Sequence, residues 1–357
     1  MNKRVRRLFE SGIGAETVCI TKSVNMRYYS GFTGEGVLVL TPDDMRIVTD
    51  SRYGEQAFSQ APQAQVTLIG AGDDYLGTLA RLLKRPGIER AALEDKHITA
   101  ADFFRLRDAL PGDFIMLPLG DAADGVRAVK DGGEITAIAK AQKLADEAFS
   151  RILSFIRPGV TETDVALELE MSMRRAGAQG LSFDMIVASG IHSAMPHATL
   201  SGKKIEPGDV VTLDFGCRVD GYCSDMTRTV AVGYLPDELK KIYGVVLEAQ
   251  LAALEVLATG KTGRQVDAAA RRIIESAGYG EYFGHGLGHG VGLEIHEMPR
   301  LSHAPEADAV LQKGHVVTVE PGVYVPALGG VRIEDLCVLT ENGYNNLTSS
   351  DKKLMII

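Results

Sequence analysis

The first third of the chain alternates short apolar runs with segments of helical periodicity. The apolar runs, which predict strands, lie at 17–20, 36–40 and 45–49. Leucines recur at helical spacing between 73 and 85, as is typical of an amphipathic helix. The segments 89–94 and 101–110 extend this alternation. We therefore expect an α/β domain of roughly 120 residues at the N-terminal end.

The pattern changes near residue 121, where an Asp- and Gly-rich stretch opens a long helical run that Arg157-Pro158-Gly159 should end. Thr161 and Asp164 resemble a capping box for a second helix. The later predicted elements are strands between 183 and 233, helices at 237–258 and 263–277, and a strand-rich C-terminal stretch. Helices followed by strands, twice, indicate an α+β domain with an approximate internal duplication. We place the boundary so that the domains are 1–127 and 128–357.

Two aspartates occupy an apolar hairpin within this second domain. Asp214 and Asp225 lie in the two arms of 211–230, joined by a turn containing Asp220-Gly221. If the two-residue loop is Val219-Asp220, the two carboxylates are directly opposed; if it is Asp220-Gly221, they are diagonal. In either register, two negatively charged side chains lie close together on an otherwise apolar hairpin.

The composition of the chain bears on its binding partners and its location in the cell. The net charge of -9 offers no broad basic surface for phosphates, so we expect no nucleic-acid partner. No stretch reaches the roughly 18 apolar residues of a membrane span, and we find no signal peptide. The four cysteines are scattered without a CxxC pair and read as reduced, buried thiols. We expect a cytoplasmic protein.

Further polar residues with metal-binding chemistry follow the hairpin. His285 and His289 are four apart, but the alternating glycines of 284–292 exclude a zincin helix and indicate a backbone close to a ligand or another segment. Glu320 ends an apolar strand. The alternating stretch 330–340 predicts one strand that directs Arg332 and Glu334 to the same face.

Four carboxylates gathered near apolar strands repel one another unless positive charge compensates them. Two unit charges at about 4 Å interact with roughly 4 kcal/mol at an effective dielectric constant near 20. Asp214, Asp225, Glu320 and Glu334 would therefore raise their pKa values or bind cations. Two divalent ions balance their charge, and His289 would add a nitrogen ligand. Oxygen donors with one imidazole suit Mn²⁺, Co²⁺, Fe²⁺ or Zn²⁺, and two such ions suit a hydrolase.

This ligand set, with "HGLGHGVGLEIHE", "VEPGVY" and "VRIED", resembles the metal centre of the M24 "pita-bread" metallopeptidases. That family contains methionine aminopeptidases, aminopeptidase P and prolidase. The stretches 25–34 and 47–53 resemble the creatinase-type N-terminal domain of prolidase and aminopeptidase P. The resemblance implies a pita-bread catalytic domain preceded by a smaller α/β domain, and a homodimer.

The resemblance also implies roles for individual residues. Asp214 would chelate one ion, Asp225 and Glu334 would bridge both, and His289 and Glu320 would complete the second site. Glu320 would also shuttle protons, while His197 and His296 would act at the leaving amine and the carbonyl oxygen. The implied substrate-binding residues are His285, Arg332 and Tyr324.

The implied reaction is hydrolysis of the Xaa-Pro bond of short proline-containing peptides by a metal-bridging hydroxide, with two divalent ions per subunit, Mn²⁺ first. We favour Xaa-Pro dipeptides, as for prolidase. The alternative within the family is aminopeptidase P acting on longer Xaa-Pro-Yaa peptides. A creatinase or a non-catalytic binding protein on the same fold tends to lose ligands, and here all five are present.

Overall fold

The computed structural model describes residues 2–357, and the chain divides between Arg127 and Ala128 into two compact units. The first unit is built on a six-stranded mixed sheet of order β4-β3-β2-β1-β5-β6. Its strands are β1 (Thr17–Ile20), β2 (Val37–Leu40), β3 (Met45–Thr49), β4 (Gln65–Leu68), β5 (Arg90–Leu93) and β6 (Ile115–Pro118). Its helices are α1 (Lys3–Glu10), α2 (Ser23–Ser30), α3 (Gly54–Gln60), α4 (Tyr75–Leu83) and α5 (Ala100–Ala109). The division between the two units falls within the last turn of α6 (Ala122–Ala128). The predicted α/β alternation is confirmed.

The leucine spacing that predicted a helix in the first unit has a packing reason. In α4, Leu79, Leu82 and Leu83 are buried against the sheet core, which includes Val48 and Ala91. Asp74 caps the helix, its side chain accepting a hydrogen bond from the Gly77 N–H at 2.7 Å. Burial of this apolar face holds the helix on the sheet.

The second unit repeats helices followed by strands. Its helices are α7 (Gly132–Ile152), α8 (Glu162–Arg175), α9 (Asp237–Val256) and α10 (Gly263–Ser276). The strands after α8 are β7 (Gly180–Leu181), β8 (Ile186–Ser189), β9 (Val210–Phe215), β10 (Cys217–Val219), β11 (Tyr222–Cys223) and β12 (Met226–Ala231). The strands after α10 are β13 (Gly288–Gly290), β14 (Glu297–Leu301), β15 (Val316–Val319), β16 (Gly322–Val325), β17 (Gly329–Arg332), β18 (Asp335–Thr340) and β19 (Gly343–Asn346). The predicted α+β order is confirmed.

The helical run predicted from 120 to Arg157 differs from the observed helices at both ends. It is split into α6 and α7, because Asp131 and Glu134 form a capping box that starts a new helix. It ends at Ile152, because the next four residues turn and place Ile156 in the core, with its N–H donating to the Ile152 carbonyl oxygen. The capping box predicted at Thr161 and Asp164 is confirmed at the start of α8.

Each half of the second unit has its own hydrophobic core, and strands join the two. One core lies between α7, α8 and the sheet β12-β9-β8; the other lies between α9, α10 and the later strands. The halves meet where the Thr229 hydroxyl donates to the Arg332 carbonyl oxygen at 3.0 Å and the Glu334 N–H donates to the Thr227 carbonyl oxygen at 3.1 Å. Among residues 2–357, no helix combines the length and the apolar character needed to cross a membrane.

A buried ion pair ties the start of α7 to β14. Lys130 Nζ lies 2.9 Å from Glu297 Oε2, and their side chains are 0% and 2% exposed. Lys313 and Glu341 form a pair of the same length, 2.9 Å, with side chains 67% and 77% exposed. The two ion pairs have the same length and differ mainly in exposure to solvent, so the exposed pair serves as a control for the buried one.

We expect Lys130→Met to lower the free energy of unfolding by about 3–5 kcal/mol, because it leaves the Glu297 charge in a dry site. Lys313→Met should cost less than about 1 kcal/mol, since its partner stays hydrated. Urea unfolding of both variants measures the difference. Equal losses in the two variants would contradict this account of the buried pair.

Candidate metal centre

The hairpin register places the two aspartates diagonally. Val219 pairs with Tyr222, so the loop is Asp220-Gly221, and both residues have positive φ, 49° and 76°. Asp214 pairs with Thr227, and Asp225 lies just before β12, two positions along. The second of the two predicted registers is therefore the observed one, and both carboxylates remain in one neighbourhood.

The glycines around His289 let β13 run between two other strands. A Cβ on Gly288 would lie 2.1 Å from the Thr318 carbonyl oxygen, and one on Gly290 would lie 2.1 Å from that of Met298. The prediction of a backbone close to another segment is confirmed. His289 Nδ1 donates to the Gly290 carbonyl oxygen at 3.1 Å. Nε2 is therefore the nitrogen that faces the carboxylates and is available as a ligand.

The stretch 330–340 is not the single strand we predicted. Arg332 ends β17, which pairs with β16, whereas Asp335 begins β18, which pairs with β15 in another sheet. The chain changes sheets at Ile333-Glu334, so the period-two argument does not apply there. Arg332 and Glu334 nevertheless reach the same point, because Arg332 Nε donates to Thr227 Oγ1 at 3.1 Å and that hydroxyl donates to Glu334 Oε2 at 2.7 Å.

The structure brings all five predicted ligands together. Asp214, Asp225 and Glu334 each place a carboxylate oxygen within 4.8 Å of the others. His289 Nε2 lies 3.6 Å from Asp225 Oδ2 and 3.3 Å from Glu320 Oε1. Two ligands come from the first half of the unit and three from the second, so the cluster exists only where the halves join.

The carboxylates of Asp214 and Glu334 each use one of their two oxygens for a hydrogen bond to the protein. Asp214 Oδ2 accepts from Arg332 Nη2 at 2.6 Å, whereas its Oδ1 is buried and has no hydrogen-bond partner among residues 2–357. Glu334 is arranged in the same way: Thr227 holds Oε2, and Oε1 has no such partner within the described chain. Buried acceptors without partners are costly unless a ligand satisfies them.

The electrostatics of the cluster indicate missing positive charge. Burial, then repulsion from Glu334, Asp214 and Glu320, raises the pKa of Asp225 well above its usual range. The pKa of Glu334 is raised in the same way, by burial and then by Glu320 and Asp214. Burial alone would raise the pKa of Glu320 too, but the hydrogen bond and charge of His289 lower it. The donor set, four carboxylates and one imidazole, fits divalent cations.

A hydrogen-bonded wall lies beside the cluster. Arg332 Nη1 donates to the Tyr324 hydroxyl oxygen at 2.6 Å, and that hydroxyl donates to His285 Nε2 at 3.0 Å. His285 Nδ1 donates to the Gly286 carbonyl oxygen at 2.7 Å. Burial lowers the pKa of His285, which favours the neutral ring that accepts at Nε2. The three predicted substrate-binding residues are thus a single connected unit.

The cluster opens into a cavity of about 510 Å³ that also takes in the predicted histidines. His197 and His296 both line it; the ring of His296 meets that of His289 edge-on at 4.4 Å. Burial, then the charges of His289 and Arg300, lowers the pKa of His296 to about 4. Tyr324 lies behind the lining, 6% exposed.

Sequence reasoning missed several residues that shape the centre. Thr227 orients Glu334, and Thr318 Oγ1 donates to Glu320 Oε1 at 3.0 Å while accepting from the His289 N–H at 3.0 Å. Their signal was a polar residue two positions from a predicted ligand on an apolar strand. The unpredicted residues that line the cavity include Phe183, Asp184, Ile186, Ile295 and Arg300.

Comparison with known proteins agrees with this geometry. Residues 136–341 match the model of metallopeptidase family M24, and residues 3–129 match the creatinase/prolidase N-terminal domain. The Xaa-Pro dipeptidase of Pyrococcus furiosus is 37% identical over 357 residues, 99% of each chain. Two solved structures superpose closely: an Xaa-Pro dipeptidase from Bacillus anthracis (43% identity, 99% of each chain, TM-score 0.95) and an X-Pro aminopeptidase from Thermotoga maritima (38%, 99% of this chain and 100% of the other, TM-score 0.90). The chain therefore belongs to metallopeptidase family M24, with the pita-bread catalytic fold preceded by a creatinase-type N-terminal domain.

Proposed function

We propose that this metallopeptidase hydrolyses the Xaa-Pro bond of Xaa-Pro dipeptides. The observation that carries the proposal is the meeting of five candidate ligand side chains at the wall of a substrate-sized cavity; two of them have buried oxygens without a hydrogen-bond partner among residues 2–357. Full-length relatives named as Xaa-Pro dipeptidases support the choice of bond. The homodimer and the short proline-containing peptides as partners stay predictions from the family resemblance, and the cytoplasmic location stays a prediction from the sequence composition.

The five ligands would hold two divalent ions. Asp214 would serve one ion, His289 and Glu320 would serve the other, and Asp225 and Glu334 would be shared by both. Bound ions supply a hydroxide nucleophile at neutral pH and positive charge for the transition state. Mn²⁺ is the first choice, with Co²⁺, Zn²⁺ and Fe²⁺ as alternatives, because the set is dominated by hard oxygen donors.

Side chains around the cavity would move the protons and hold the substrate. Glu320, kept ionised by its neighbours, accepts the proton of the attacking water and delivers it to the prolyl nitrogen. His296, neutral because of its lowered pKa, donates to the carbonyl oxygen, which becomes negative in the transition state. His197 lies at the cavity wall beside the leaving nitrogen.

The wall of His285, Tyr324 and Arg332 would hold the proline ring. Proline is compact, rigid and lacks an N–H, so a site that receives it needs shape and a few fixed contacts. His285 stands edge-on to Phe283 at 5.1 Å and close to Tyr324 at 5.6 Å, which gives a rigid aromatic surface. Arg332 fixes Asp214 and Tyr324 together and attracts the carboxylate end of the substrate.

Cleavage of longer Xaa-Pro-Yaa peptides is the second candidate function. It is favoured by the similarity to the X-Pro aminopeptidase of Thermotoga maritima, which is as close in identity as the Pyrococcus furiosus dipeptidase. A non-catalytic binding protein on the same fold is disfavoured, because the complete ligand set has no purpose in it.

The purified protein loaded with Mn²⁺ should hydrolyse an Xaa-Pro dipeptide, with Co²⁺ and Zn²⁺ tested in parallel. The matching Xaa-Pro-Yaa tripeptide should be cleaved far more slowly, and chelation should abolish both reactions until metal returns. Proline release measures the rates. Fast tripeptide cleavage with an intact dipeptide would favour the second function, and no cleavage of either peptide with any metal would reject both.

Asp225→Asn should remove turnover while the protein stays folded. Loss of one bridging charge forfeits several kcal/mol of transition-state stabilisation, a rate loss of about a thousandfold or more. The metal-free variant should be no less stable than metal-free wild type, because a repelling charge has gone. The assay combines peptide hydrolysis, elemental analysis of bound metal and thermal unfolding.

Asp220→Asn is the matched control in the same hairpin. Asp220 is exposed at the turn, where φ is 49° and Asn is well accommodated. This control should keep wild-type rates and metal content. Wild-type turnover by the Asp225 variant would show that the assignment of the metal ligands is wrong.

A further inference from the structure

A loop beside the metal centre begins and ends at one buried carboxylate. Strand β8 ends at Ser189, and the chain then leaves the sheet and passes His197 before it reaches Ser201. We call residues 190–200 the His197 loop. The serines that flank it both hydrogen-bond to Glu162, the first residue of α8. The two ends of the loop therefore meet at a single side chain.

Glu162 is 0% exposed and uses both of its carboxylate oxygens here. Oε1 accepts from the Ser189 N–H at 2.7 Å and from the Ser189 hydroxyl at 2.8 Å. Oε2 accepts from the Ser201 hydroxyl at 2.5 Å, and His192 Nδ1 lies 3.3 Å from it. The Glu162 N–H donates to the Lys203 carbonyl oxygen at 3.1 Å. Because burial keeps water from competing for these hydrogen bonds, they fix both ends of the His197 loop to the start of α8.

A second set of contacts joins the His197 loop to β17, the strand that ends at Arg332. Ser193 Oγ accepts from the Gly330 N–H at 2.8 Å, and a Cβ on Gly330 would lie 2.2 Å from the Ser193 carbonyl oxygen. Arg332 Nη1 donates to the Pro196 carbonyl oxygen at 3.4 Å, while its Nη2 binds Asp214. A shift of the loop would therefore be a shift relative to the metal centre.

His197 is the member of the loop whose position matters for the reaction. It lines the metal-centre cavity, yet it is exposed, so burial does not fix its place. Its place depends on the backbone of the loop, which Glu162 and β17 hold. A misplacement of about 1 Å at a reacting centre can cost about a hundredfold in rate. The anchors of the loop are therefore expected to affect catalysis.

We infer that Glu162 is a positioning residue, which holds His197 at the metal-centre cavity by fixing both ends of the His197 loop. The inference rests on the proposed Xaa-Pro peptidase function, in which His197 stands beside the leaving prolyl nitrogen. Glu162 is not one of the five candidate metal ligands and does not line the metal-centre cavity. Its removal would therefore act on the reaction through the loop.

A double-mutant cycle tests the inference, with the full-length Mn²⁺-loaded protein and the dipeptide Ala-Pro. His197→Ala should lower kcat by about a hundredfold with KM little changed, because its contact with the leaving nitrogen forms in the transition state. Glu162→Ala should lower kcat by about tenfold, because the loop is displaced. Added to His197→Ala, it should change kcat by less than about twofold, since a residue that acts through another has no effect once the other is gone.

Two milder variants keep the test decisive if Glu162→Ala does not fold. In Glu162→Gln the amide oxygen can accept from Ser189, and the amide nitrogen can donate to the Ser201 hydroxyl, which is free to rotate. This variant should keep kcat within about threefold of wild type, because both ends of the loop stay bound. Ser201→Ala removes one end only and should lower kcat by about threefold or more, again only while His197 is present.

Asp164→Ala is the matched control for damage to the start of α8. Asp164 accepts from the Thr161 N–H at 3.1 Å and from the Thr161 hydroxyl at 2.7 Å, outside the His197 loop. Its loss should lower the temperature of thermal unfolding and leave kcat unchanged. Calorimetric titration with Mn²⁺ should give wild-type binding for all of these variants, which separates an effect on the loop from an effect on the metal ligands.

Equal falls in kcat when Glu162→Ala is introduced into wild type and into His197→Ala would overturn the inference. It would also be wrong if His197→Ala or Glu162→Ala kept the wild-type kcat, or if Glu162→Ala lost Mn²⁺ binding. Where Glu162→Ala does not fold, the same comparison is made with Ser201→Ala. Failure of the wild-type protein to hydrolyse any Xaa-Pro peptide would instead reject the proposed function itself.

Discussion

Mutual repulsion between buried carboxylates is the constraint on which this structure depends. Asp214, Asp225, Glu320 and Glu334 lie at one point in a largely apolar setting, and their neighbouring charges and burial shift their pKa values. Such a group is tolerated only if cations compensate it. The protein itself supplies one, Arg332, whose guanidinium is buried and bound to Asp214. The remaining deficit of positive charge supports the proposal that the cluster binds divalent ions.

In the pita-bread fold these charged side chains come from segments that are far apart in the sequence. The hairpin of β9 and β12 brings two aspartates, and strands more than sixty residues later bring His289, Glu320 and Glu334. Hydrogen bonds between β12 and the segment around Glu334, one backbone to backbone and one from the Thr229 hydroxyl, hold the two halves together at this level. The repelling ligands therefore stay in place because two hydrophobic cores, one behind each half, hold the strands that carry them.

Two threonines orient carboxylates of the centre. Thr227 and Thr318 each lie two positions from a candidate ligand in the sequence and hydrogen-bond a carboxylate at the centre. Thr212 and Thr229 continue this row beneath the ligands, their hydroxyl oxygens 3.2 Å apart. Thr227 fixes Oε2 of Glu334, whereas Thr318 holds the same oxygen of Glu320, Oε1, that faces His289. The polar face of an otherwise buried sheet would thus be a preorganised support for the proposed ions.

The sequence by itself determined the order of helices and strands in each domain, the glycine-framed approach of β13 and the chemistry of the five candidate ligands, because these depend on local periodicity, turn residues and donor type. The hairpin register was narrowed to two possibilities, and only the pairing of Val219 with Tyr222 chose between them. The break between Arg332 and Asp335 was not predictable, since alternation within one strand does not show that the chain passes to another sheet. The bond from Thr227 to Glu334 and the His285–Tyr324–Arg332 wall were decided by tertiary structure alone, because each joins residues from different strands or loops through contacts that no local pattern specifies.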